Sequence, residues 1–165
     1  MIERSEVAYL PASAQDAVLD AAERVARANA AADNEATIGA SKDLIECVAK
    51  AALDALGSKY GSNIHVDKLA SETLSVLRRT PALQGRAAID LLGSALINAA
   101  TAVAQLRNTD GTGHGRASRS KLDPAHVELA RAATEAWCRW VLASTRKALK
   151  RGGLSSAPST TSATQ

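Results

Sequence analysis

Residues 87–106 read AAIDLLGSALINAATAVAQL, and within this run Ile89, Leu92, Leu96, Ala99, Val103 and Leu106 fall at alternating steps of three and four. That spacing puts the larger apolar side chains on one narrow stripe of an α-helix, the pattern of a helix that packs on another helix. A strand would need alternation at every second residue, and none is present. The helix is read from about Gln84 to Arg107-Asn108, where a breaker-rich loop from Thr109 to Lys121 follows. The run is apolar enough to raise the question of a membrane span. Asp90, Ser94, Asn98, Thr101 and Gln105 interrupt it, so the reading is a bundle helix.

The rest of the chain agrees with an all-helical fold. Of 165 residues 36 are alanine, while aromatics make up 2% and phenylalanine is absent, so the apolar fraction of 46% is mostly small side chain. Alanine favours helices that approach closely. A β-sandwich would need more β-branched and aromatic residues. Upstream, one helix is expected from Ala14 to Ala32 with Ser13 as N-cap. A second is expected from Ala36 to Leu56, with Ile38, Leu44, Ile45, Val48, Ala52 and Leu56 at helical spacing and Gly57 as the stop. A third runs from Val66 to Arg79 and halts before Pro81. Downstream, Asp123-Pro124 supplies an N-cap and a first-turn proline for a last helix reaching about Lys150. The expectation is a compact bundle of about five helices over residues 1–151, with residues 152–165 a disordered Ser/Thr-rich tail. Glu3, Arg4 and Glu6 leave no room for a signal-peptide core at the start, and cytoplasmic residence is expected, away from membranes. Cys47 and Cys138 sit in helix interiors and are read as small buried thiols.

Charge is uneven. Residues 1–106 carry 10 basic and 13 acidic side chains, whereas residues 107–165 carry 10 basic and 4 acidic. Arg107, Arg116, Arg119, Lys121, Arg131 and Arg139 therefore form a candidate anion-facing surface, with a solvated cationic helix face as the alternative. The chemistry concentrates in the loop. Six residues separate Arg107 from His114, and Gly113 and Gly115 flank the histidine, so the backbone is free to fold back toward the helix end. Arginine offers a fork of donors that matches phosphate oxygens. Histidine titrates near neutral pH and moves protons. RNA cleavage without a metal needs both functions, although a glycine-rich turn holding one histidine is also an ordinary structural feature.

The run Leu106-Arg107-Asn108, followed by Gly113-His114-Gly115, resembles the abortive-infection C-terminal domain of the HEPN superfamily, whose signature is Arg, a polar residue, four to six residues, then His. Residues 43–50, DLIECVAK, look like the family's early helix. Residues 122–130, LDPAHVELA, look like its last helix, and the likeness spans about residues 38–145. The resemblance implies a helical bundle that dimerises so that two motifs face each other. It implies metal-independent RNA cleavage leaving a 2′,3′-cyclic phosphate, with no cofactor, in phage defence or as a toxin. Arg107 would bind the scissile phosphate, His114 would transfer protons, and Asn108 would orient the phosphate or the partner motif. Arg116, Arg119 and Lys121 would hold RNA, and a companion antitoxin or defence protein is a further expected partner. The loop is long for the signature, and Arg116 stands two residues after the histidine, where some toxin members carry tyrosine. The alternative is a HEPN module that has lost catalysis and binds RNA, nucleotide or a protein.

Glu46 lies four residues before Lys50 and is read either as a helix ion pair or as a support for the motif. His65 and His126 lack any metal-ligand spacing and are read as surface or capping residues. Trp137 and Trp140 are read as core or dimer packing rather than base-stacking platforms.

Overall fold

A computed structural model describes residues 1–83, 87–110 and 122–152. The elements are α1 (Arg4–Val7), α2 (Ala12–Ala30), α3 (Asn34–Ala55), α4 (Val66–Arg78), α5 (Ala87–Asp110) and α6 (Pro124–Lys150). All regular structure among the described residues is helical, as expected from the composition. The short α1 is an element the sequence reading lacks. It has four residues and is held by packing, since a single turn has no helical stability of its own. Val7 is fully buried, and the Tyr9 hydroxyl donates to the carbonyl of Leu142 at 2.9 Å, which ties this first turn to α6. Burial holds the Tyr9 phenol far above its ordinary titration range.

The helix ends follow their local chemistry. α2 begins at Ala12 behind Pro11, so Ser13 lies inside the first turn and caps nothing. Asp33 accepts from the Ala36 amide at 2.9 Å and caps α3. Gly57, with φ of 69°, takes the left-handed conformation that closes its other end. Asp123 accepts from the Ala125 amide at 2.7 Å ahead of Pro124 and caps α6. α5 runs two residues farther than its sequence suggests, to Asp110, and Arg107 and Asn108 are helical residues as read.

α3 is the central element and packs against α2, α4, α5 and α6. Its Ile38, Ile45, Val48 and Leu53 are fully buried, together with Trp137, Val141 and Cys138 of α6. Trp137 is thus a core residue. Trp140 lies half-buried over Gly93 of α5, where the missing side chain makes room for its ring. Both cysteines are free, Cys138 buried and Cys47 partly so.

α4 and α5 form an antiparallel pair whose register is marked by the ion pair of Arg78 with Asp90. By length and composition α5 is capable of crossing a membrane, with a mean hydropathy of 1.6 over its most apolar window. It packs here against α3, α4 and α6, yet only 17% of that window is buried. Its buried face carries Gly93, Ile97, Ala100 and Val103. The stripe read from the sequence is rotated off that face. Of its members only Val103 is buried, and Leu92 is 55% exposed. Small residues let α5 approach its neighbours closely, which leaves the larger ones outside.

Candidate functional site

The site forms where the end of α5 meets the start of α4 and the middle of α3. Helix-pair register explains why. His65 lies thirteen residues before Arg78, and Val103 thirteen after Asp90, so the antiparallel pairing brings His65 beside the last turns of α5. The result is a cleft of about 540 Å³ whose lining includes Lys42, His65, Asp67, Gln105, Arg107 and Asn108. Arg107 is half-buried and Asn108 exposed. Among the described residues no ion pair or side-chain hydrogen bond occupies Arg107, Asn108 or the His65 imidazole. Arg107 also stands in the last turn of α5, where the helix dipole favours a cation.

The α3 wall is organised by one carboxylate. Glu46 accepts from Lys42 through one oxygen and from Lys50 through the other, both at 2.7 Å. Burial raises the Glu46 carboxyl, but the two lysine hydrogen bonds outweigh it and hold the group below its ordinary value. The helix ion-pair reading of Glu46 therefore has a counterpart. It makes the helix ion pair with Lys50, and the same side chain fixes Lys42 at the cleft.

The expected motif is only partly described. Arg107 and Asn108 are brought to the cleft. His114, Gly113, Gly115, Arg116, Arg119 and Lys121 lie outside the described residues, and so does the tail from residue 153. At Leu122, the first described residue after them, the backbone carbonyl accepts from Asn34 Nδ2 at the start of α3 at 3.1 Å.

Two members of the expected anion-facing surface are engaged elsewhere. Arg131 bridges Glu128 at 2.6 Å and Glu135 at 3.1 Å, and Arg139 pairs with Glu135 at 3.2 Å. They stabilise α6 and its contact with α1 rather than presenting free charge, because acids three and four residues away on a helix lie within reach. The surplus of positive charge on α6 lies instead near its C-terminal end, where Arg146, Lys147, Lys150 and Arg151 border a groove of about 370 Å³.

The sequence reading missed Lys42 and His65 as site residues. Neither has a local signature. The α4–α5 register places His65, and the packing of α5 on α3 places Lys42. A second surface adjoins the cleft. Ala99, Ala102, Leu106, Leu129, Ala130 and Ala133 border an almost wholly apolar groove of about 450 Å³ between α5 and α6. Leu129 is 69% exposed there, and Leu91 and Leu92 extend the exposed apolar character along α5.

A family model described as a HEPN-like domain matches residues 12–145. No curated protein and no solved structure matches the chain.

Proposed function

The chain belongs to the HEPN-like abortive-infection C-terminal domain family and has a HEPN-family role in abortive infection; from that premise we propose that it is a metal-independent endoribonuclease. The observation that carries the reading is Arg107, without a partner among the described residues, beside Asn108 in a polar cleft, at the residues where the family's motif begins. The guanidinium holds the non-bridging oxygens of a phosphodiester and stabilises the charge that grows on them during attack. The 2′-hydroxyl oxygen attacks phosphorus as its proton passes to a base, the bond from phosphorus to the 5′-oxygen breaks, and that oxygen takes a proton. His114, seven residues after Arg107, supplies proton transfer. The products are a 2′,3′-cyclic phosphate and a 5′-hydroxyl.

The working unit is a homodimer. The apolar groove of α5 and α6 contains Leu106, the neighbour of Arg107, so a second copy seated on it brings two clefts together. Exposed apolar area of this kind favours association. Arg116, Arg119 and Lys121 follow His114 and supply contacts to the RNA backbone. An antitoxin or defence protein is the expected companion, in the cytoplasm.

The test is cleavage of RNA by purified protein in EDTA, with analysis of the product ends. Wild type is expected to leave cyclic-phosphate ends. Arg107→Ala and His114→Ala are each expected to lose at least about a hundredfold in rate while retaining the helical circular-dichroism spectrum. Full cleavage by either variant overturns the assignment. RNA binding without turnover by the wild type would favour a non-catalytic binding module.

A further inference from the structure

The expected motif supplies one imidazole per chain. The cleft among the described residues contains another. His65 stands at the N-cap position of α4, but its side chain makes no capping hydrogen bond. It is exposed, and it lines the same cleft as Arg107. Basic side chains therefore reach this cleft from three directions: Lys42 from α3, His65 from the start of α4 and Arg107 from α5. The other charged group on the wall is Asp67, in the first turn of α4. Lys42 is held in place by Glu46, while Arg107 and the His65 imidazole have no partner among the described residues.

Transphosphorylation moves two protons, one off the 2′-hydroxyl and one onto the 5′-oxygen, so two titrating groups serve it better than one. Resting on the endoribonuclease reading, we infer that the cleft of Lys42, His65, Arg107 and Asn108 is a phosphodiester-binding site in which His65 is a second proton-transfer residue. Lys42 and Arg107 hold the phosphate oxygens. Asn108 adds a neutral donor. His65 exchanges a proton with one of the two ester oxygens, taking it from the 2′-hydroxyl or giving it to the 5′-oxygen, and regains its starting state from solvent. No oxidant, metal or further reactant enters the balance.

Two measurements on the full chain test the inference. In the first, uridine 3′-monophosphate is titrated into protein labelled in its three histidines, and the imidazole resonances are followed. Those of His65 are expected to move on binding, and Arg107→Ala is expected to remove the response. In the second, RNA cleavage is followed across pH for wild type, His65→Ala and His65→Asn. Asparagine caps a helix well and carries no titrating proton, so a merely structural role predicts that it restores function. The expected result is that both variants lose about a hundredfold or more in rate and lose one limb of the pH profile, while retaining the fold. His65 resonances that stay still with nucleotide present overturn the inference, as does a His65→Asn enzyme with the wild-type rate and profile. The underlying reading fails on other measurements: no cleavage by wild type, or cleavage surviving in Arg107→Ala. If His65 still responds to the nucleotide in that case, the cleft stands as a phosphate-binding site and the proton-transfer role is overturned.

Discussion

α3 and α5 are similar in length, 22 and 24 residues, and both are rich in apolar side chains, yet the protein uses them differently. α3 is enclosed by four other helices and buries Ile38, Ile45, Val48 and Leu53 completely. α5 is the more apolar of the two, but it turns Gly93, Ile97, Ala100 and Val103 inward and leaves Leu91 73% exposed. Hydrophobicity alone does not decide which helix becomes the core. The decision lies in which face packs, and α5 packs through Gly93, Ile97, Ala100 and Val103. The consequence is functional. α3 spends most of its surface on its neighbours and reaches the cleft with Lys42. α5 retains an apolar side beside α6 and carries Arg107 at its end.

Truncation on each helix should break this contrast or sharpen it. Ile45→Ala removes a fully enclosed side chain from α3 and is expected to cost about 2–5 kcal/mol, measured by denaturant unfolding. The matching change on α5, Leu92→Ala, is expected to stay within about 0.5 kcal/mol in the monomer. A loss on α5 as large as that on α3 would show that its outer face is covered. The same variant is expected to weaken self-association in sedimentation, because Leu92 extends the exposed face.

Gly93→Ala tests the inward face. An added Cβ would lie 2.8 Å from the Trp140 ring and 3.4 Å from Leu74. Two effects compete. Alanine gains about 1 kcal/mol over glycine within a helix, while crowding a packed contact costs about 1–3 kcal/mol. The net expectation is a loss of about 1 kcal/mol, with a change in Trp140 fluorescence as the ring moves. A gain in stability would mean that Trp140 yields freely and that the close approach of α5 to α6 is not fixed by this glycine.

Most helix boundaries were legible in the sequence because capping is local. Asp33, Gly57 and Asp123-Pro124 mark ends of α3 and α6 regardless of what those helices touch. The register of faces was less legible. Counting large apolar residues along α5 selects its outer stripe, because half of its packing face is Gly93 and Ala100, which hydrophobic counting undervalues. The candidate site was legible for Arg107 and Asn108, which adjoin a recognisable motif. Lys42 and His65 were not, since each is ordinary in its own segment; His65 gains meaning through the α4–α5 register and Lys42 through the packing of α5 on α3. The pairing of Arg131 and Arg139 was readable in principle. Glu128 and Glu135 lie three and four residues from Arg131, and Glu135 four from Arg139.

A further, modest effect is expected where the two helices meet functionally, at the Lys42–Glu46–Lys50 triad. Glu46 titrates below its ordinary value of 4.5 because two lysine hydrogen bonds outweigh its burial. A carboxyl whose folded-state pKa is depressed binds its proton more weakly in the folded chain than in the unfolded one. Its contribution to stability is therefore fully present above the unfolded pKa and is lost as pH falls through the folded value. Glu46→Gln is expected to lower stability at neutral pH by at most about 1 kcal/mol, as for a partly exposed ion pair. The gap to wild type should close as pH drops below about 4.5. Unfolding curves at pH 7 and pH 3 measure both. If the gap persists in acid, Glu46 stabilises α3 through packing rather than charge. If the stability gap closes but RNA binding at neutral pH also weakens in Glu46→Gln, the carboxylate has a second task, holding Lys42 toward the cleft. Scaffold and site then share a residue, and the separation between α3 and α5 ends at that side chain.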